Sequence, residues 1–124
     1  MTRRPIPVSH LRLKRAYDPV MPDDGIRILV DRLWPRGISK AEAAIDDWAK
    51  DIAPSIELRK WFGHDTGRWP EFQHRYRSEL AQHSSRLDQI RTLAKKQSVT
   101  LVYSARDELH NDAIVLKEVL LEGN

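Results

Sequence analysis

The chain has 124 residues, 40% of them apolar and 31% charged, a composition that fits one globular domain and excludes wholesale disorder. Cysteine is absent, which removes disulfides, thiolate metal sites and a cysteine nucleophile together. The formal charge of +3, from 21 basic and 18 acidic residues, permits contact with phosphates without demanding nucleic acid. "MTRRPIPVSH" lacks the apolar segment of a signal peptide, and no run is long enough to span a bilayer, so a cytoplasmic protein without membrane association is expected.

Residues 1–7, with two prolines and two arginines, read as a flexible arm ahead of a single domain over 8–124. "LRLKR" alternates Leu11 and Leu13 with basic residues, as a half-buried strand does. Pro19, Pro22 and Gly25 mark the loop that follows, and the apolar run "IRILV" suits a central second strand. Ser39 and Glu42 have the spacing of a capping box and predict a short helix. In "AIDDWAKDIAP" the residues Ile45, Trp48 and Ile52 have helical spacing, ended by Pro54, although the segment is ambiguous. Ser55 is placed to cap "IELRKWF", and Gly63 and Gly67 bracket a turn.

Pro70 sits near the first turn of a helix reaching about residue 82, with Trp69, Phe72, Tyr76 and Leu80 on one face. "SSRLDQIRTLAKKQ" repeats the pattern with Leu87, Ile90 and Leu93 inward and Lys95 and Lys96 at its carboxyl end. "VTLVY" is a third strand. A last helix is read with Leu109, Ala113, Leu116 and Leu120 on one face and Gly123 just beyond it. Strands separated by helices argue for an α/β fold: a compact sandwich with a small, mainly parallel sheet flanked by helices.

In such a sheet, ligands sit outside the carboxyl ends of the strands. The second strand ends in "DRLWPRG" and the third in "YSARDELHND", so a parallel pairing brings both polar segments to one edge. Arg32, Arg36 and Arg106 would clamp an anion, because the planar guanidinium fork matches phosphate or carboxylate. Trp34 would offer a stacking face, and Tyr103 and Ser104 would donate hydrogen bonds. Asp31, Asp107 and His110 are the candidate proton-transfer groups. The same residues have structural readings: an Asp31–Arg32 ion pair, Trp34 as core, and Ser104 or Asp107 as the cap of the last helix. His64 and Asp65 fall in a turn and form a weak dyad. No compact histidine spacing suggests a metal, and no GxGxxG or GxxxxGK[ST] suggests a nucleotide cofactor, so neither is expected.

From "DRLWPRGISK" through "DIAPSIELRKWFGHD", "WPEFQHRYRSEL" and "TLVYSARDELHNDAIVLKEVL", the chain resembles the YeaO-like family of small, mostly bacterial proteins, a domain-of-unknown-function family. The resemblance covers nearly all of the chain and implies a compact α/β fold, but it implies no particular reaction. Where longer relatives carry cysteines, this chain has Tyr103 and Ser104. The expected function is therefore binding of a small phosphate-bearing or nucleotide-like anion at the arginine-rich strand ends. The rivals are a nucleic-acid-binding module using Arg3, Arg4, "LRLKR" and the basic side of the third helix (Arg68, Arg75, Arg77), and a non-enzymatic interaction protein.

Overall fold

The structure, a computed structural model, describes residues 5–122. The strands are β1 (Leu11–Arg15), β2 (Ile26–Leu29), β3 (Asp47–Trp48) and β4 (Val99–Tyr103); the helices are α1 (Lys40–Ala43), α2 (Ile56–Phe62), α3 (Trp69–Leu80), α4 (Ser84–Lys96) and α5 (Asp112–Glu122). The strands form one sheet in the order β1-β4-β2-β3, with every neighbouring pair parallel. This is the α/β arrangement expected from strands that alternate with helices. β4 is central and wholly buried, as its mostly apolar sequence allows, with the Thr100 hydroxyl donating to the Asp24 carbonyl.

The two faces of the sheet are covered unequally. Ile28, Val30, Leu101 and Tyr103 pack with α2, α3, α4 and α5 in the main core. Leu29 and Val102 point the other way, onto Trp34, Ile38, Ile45 and Trp48. Trp34 and Trp48 meet edge-on there, their ring centroids 5.6 Å apart. The chain leaving β2 therefore covers one face, while the helix following β4 covers the other, so the two exits diverge at the sheet's edge.

Buried polar groups have partners. Asp24, 1% exposed, holds the equally buried Arg27 at 2.7 Å and Lys14 at 2.8 Å, and Arg27 also donates to the Ala43 carbonyl. The buried Tyr76 hydroxyl donates to the Ile52 carbonyl. Gly25, at φ 64°, lets β2 begin hard against β4: a Cβ there would lie 2.1 Å from the Ser98 carbonyl oxygen.

Several local expectations are met. Ser39 and Glu42 form the capping box of α1, and Ser55 caps α2 by accepting from Leu58 N–H. Four differ. Asp47–Trp48 is a strand beside β2, and Lys50–Ile52 is a 3₁₀ turn, so "AIDDWAKDIAP" contains no α-helix. Leu109 is 74% exposed and precedes α5 rather than belonging to its inward face. In α4 the fully buried position is Ala94, with Leu93 only half-buried. Ile6, inside the stretch read as an arm, is buried in the core. Arg3, Arg4 and Gly123 lie outside the described residues.

Candidate functional site

Where β2 and β4 end, the divergent exits leave a cleft of about 670 Å³. Asp31 and Arg36 come from the β2 exit, Ser104, Arg106, Asp107 and His110 from the β4 exit, and Asp112 from the first turn of α5. Arg59 on α2 and His64 after it close the far side, and Phe62 and Phe72 form an apolar wall. A second groove of about 630 Å³ runs between α2 and α3, but its arginine, Arg75, pairs with Glu71 and stacks over Trp61.

The backbone on both sides of the cleft is tied down. Trp48 Nε1 donates to the Asp31 carbonyl, Tyr17 Oη to the Arg36 carbonyl and Trp34 Nε1 to the Ile38 carbonyl. On the opposite rim, Arg15 donates to the Ser104 and Ala105 carbonyls. Asp107 makes an Asx turn, accepting from Leu109 and His110 N–H, and its second oxygen lies 2.8 Å from His110 Nδ1. These bonds, led by the Leu109 N–H, hold the Asp107 carboxyl below the usual carboxylate range. The His110 ring in turn meets Trp69 edge-on.

At the cleft floor, Asp31 Oδ2 accepts from both Ser104 N–H and Ser104 Oγ–H, at 2.8 and 2.7 Å. The half-buried Asp112 carboxyl adjoins Asp31 there. Burial is the main reason Asp112 sits well above the ordinary carboxylate range, and the adjacent Asp31 charge pushes it further, while Arg59 pulls it back. Two adjoining carboxylates ionise together only at a cost, which is why the Asp31 charge adds to the upward shift of Asp112.

The arginines divide cleanly. Arg12, Arg27, Arg68, Arg75, Arg77, Arg86 and Arg91 pair with carboxylates. Arg15 and Arg32 donate to backbone carbonyls. Among the described residues, the guanidiniums with no such partner are those of Arg36, Arg59 and Arg106, and all three line the cleft. The carboxyls that share the cleft lining with them are those of Asp31, Asp107 and Asp112.

The predicted site residues thus separate. Asp31, Arg36, Ser104, Arg106, Asp107 and His110 converge on the cleft. Arg32 does not line it; its guanidinium is fixed to the Ala53 and Pro54 carbonyls, and it makes no ion pair with Asp31. Trp34 belongs to the opposite face of the sheet, so its stacking role fails on position. Tyr103 is buried in the main core beneath the rim, and burial raises its hydroxyl pKa. The cap of α5 is neither Ser104 nor Asp107 but Asn111, whose Oδ1 accepts from Ile114 N–H. Arg59 and Asp112 were not singled out by sequence reasoning. A usable signal existed for Asp112, which opens the helix directly after the third strand's polar exit; none existed for Arg59, an exposed residue on a surface helix.

Among the described residues, most of the charges that the nucleic-acid reading used are engaged. Arg12 and Lys14 pair with Asp23 and Asp24, Arg68 and Arg75 with Asp65 and Glu71, and Arg77 with Glu118 and Glu122. No helix among the described residues is long and apolar enough to cross a membrane.

Comparison with known proteins places these features in a family. A family model described as the inactive DUF488-N3 subclade matches residues 10–123. The uncharacterised protein YeaO of Escherichia coli (strain K12) is 48% identical over 111 residues, covering 90% of this chain and 96% of the relative. Uncharacterised proteins of Mycobacterium bovis (Mb3100c) and Mycobacterium tuberculosis (Rv3073c) are each 42% identical over 112 residues, covering 90% of this chain and 94% of the relative. No solved structure matches the chain significantly.

Proposed function

We propose that this chain, which belongs to the inactive DUF488-N3 subclade, is a cytoplasmic protein that binds a small phosphate-bearing or nucleotide-like anion in the cleft at the ends of β2 and β4. The observation that carries this reading is the distribution of unpartnered arginines. Arginines elsewhere in the described chain have a carboxylate or carbonyl partner; the three that do not are gathered around one cavity. Three guanidiniums with open donors around one cavity match a doubly charged phosphate, which accepts from the planar forks. The rim backbone is fixed by Arg15, Tyr17 and Trp48, so the arginines project from a preorganised frame.

Binding fits better than catalysis. The subclade is described as inactive, and the Ser104 hydroxyl, the nearest candidate nucleophile, donates to a carboxylate rather than to a histidine. The nucleic-acid reading is disfavoured by the engaged cations of β1 and α3.

The test is a thermal-shift panel of phosphate, pyrophosphate, nucleotides, dicarboxylates and a short DNA duplex, run on the wild type and on Arg59→Ala. A ligand at a hundred times its Kd stabilises the folded state by about 2.7 kcal/mol, so even weak binding registers. Stabilisation by a small phosphate in the wild type alone supports the reading. Silence from every small anion refutes it, and a salt-sensitive shift with DNA only would move the function to the rival class.

A further inference from the structure

The proposed anion site contains one feature that an anion does not explain. A cleft built only to hold negative charge gains nothing from a carboxyl pair on its floor. Asp31 and Asp112 both line the cavity that Arg36, Arg59 and Arg106 surround. The pair is built in rather than incidental: Asp31 Oδ2 is fixed by two Ser104 donors, and Asp112 is fixed by its place in the first turn of α5. Ser104 reaches Asp31 with its N–H and its hydroxyl, and the Ala113 N–H reaches Asp112. No arginine closes on it, although Arg59 lies near enough to influence Asp112.

Carboxyl oxygens that line a cavity are strong acceptors, which hydroxyl groups satisfy and a phosphate does not. Beside them, Phe62 and Phe72 stack with ring centroids 4.5 Å apart and turn an apolar wall to the same cavity. Such a wall suits the C–H face of a sugar ring. The cleft lining thus combines guanidiniums, an apolar wall and hydroxyl acceptors.

We propose that the ligand is a phosphorylated sugar, free or as part of a nucleotide, whose phosphate lies on Arg36, Arg59 and Arg106 and whose hydroxyls lie on Asp31 and Asp112. This rests on the anion-binding reading and adds the chemical class of the ligand to it. A ligand of phosphate plus pentose also fits the volume, since about 670 Å³ exceeds what a bare anion fills.

The test is isothermal titration of the full chain with three probes: inorganic phosphate, propyl phosphate, and ribose 5-phosphate. Propyl phosphate keeps the anion and removes the hydroxyls. Ribose 5-phosphate is expected to bind at least tenfold more tightly than propyl phosphate, and Asp31→Asn or Asp112→Asn is expected to remove most of that difference while leaving propyl phosphate bound. Equal affinity for ribose 5-phosphate and propyl phosphate in the wild type overturns the hydroxyl site and leaves the anion reading standing; this comparison needs no variant to fold. No binding of any phosphate overturns both. Adenosine 5′-monophosphate sorts the source: tighter binding than ribose 5-phosphate supports a nucleotide, and weaker binding supports a free sugar phosphate.

Discussion

If the unpartnered arginines exist for a ligand, removing them must separate stability from binding. Arg36→Ala and Arg59→Ala delete side chains that hold no carboxylate or carbonyl in the folded chain, so each is expected to change stability by no more than about 0.5 kcal/mol. Arg32→Ala is the matched control from the same loop. It breaks two bonds, 3.1 Å to the Pro54 carbonyl and 3.2 Å to the Ala53 carbonyl, and leaves both oxygens to find water. A net cost of about 1–2 kcal/mol follows, because the donor is charged but the site is only partly buried. At 124 residues that corresponds to a midpoint drop of roughly 3–10 °C. Against phosphate, the ranking reverses: loss of a charge-assisted contact from Arg36 or Arg59 costs about 1.5–3 kcal/mol, or roughly 10- to 150-fold in Kd, whereas Arg32→Ala acts only indirectly. Urea unfolding and phosphate titration on the three variants give both rankings. If Arg36→Ala and Arg59→Ala are the destabilised proteins and phosphate affinity is untouched, the arginines are structural and the reasoning fails.

Other consequences are equally specific. Asp24→Ala leaves Arg27 charged, buried and without its carboxylate, and is expected to cost about 3–5 kcal/mol in urea unfolding; a loss under about 1 kcal/mol would show that water reaches the site. Gly25→Ala forces a Cβ onto the Ser98 carbonyl at a positive φ and is expected to destabilise by more than about 2 kcal/mol, whereas Gly37→Ala, with open space around it, should cost only the strain of its φ of 76°. Asp112 is protonated more readily in the folded chain than in the unfolded one, so its contribution is present at low pH and is lost as pH rises through its raised folded pKa. Stability of the wild type is therefore expected to fall across that range relative to Asp112→Asn, and a parallel pH profile for the two proteins would contradict the raised Asp112 pKa. Phosphate affinity should fall over the same range, because the cleft gains a negative charge there.

Much of the fold was legible because its signals are periodic. β1, β2 and β4 announce themselves by alternation or by an apolar run, and the caps at Ser39 and Ser55 stand where side-chain chemistry puts them. β3 was not, because two residues carry no period, and the Ile45, Trp48 and Ile52 spacing arises from packing on the sheet and core instead of from a helix. Leu109 mimics helical spacing while the Asp107 turn holds it outside α5. For the site, topology sufficed to bring the β2 and β4 exits together, which is why Asp31, Arg36, Ser104 and Arg106 converge. Sequence adjacency could not say which face each side chain would take. Arg32 and Trp34 flank the cleft residues in the chain, yet one is bound to carbonyls and the other lies on the far side of the sheet. Arg59 and Phe62 reach the cleft only through the packing of α2 and α3, a long-range fact that no local pattern encodes.

The most direct test is an ¹H–¹⁵N NMR titration of the wild-type chain with inorganic phosphate followed by ribose 5-phosphate. The anion site predicts saturable shifts confined to Asp31–Gly37, the end of α2 around Arg59, and Ser104–Asp112, with β1 and α4 unmoved. Shifts scattered over the charged faces of α3 and α4, or none at millimolar phosphate, would contradict a binding site at the strand ends.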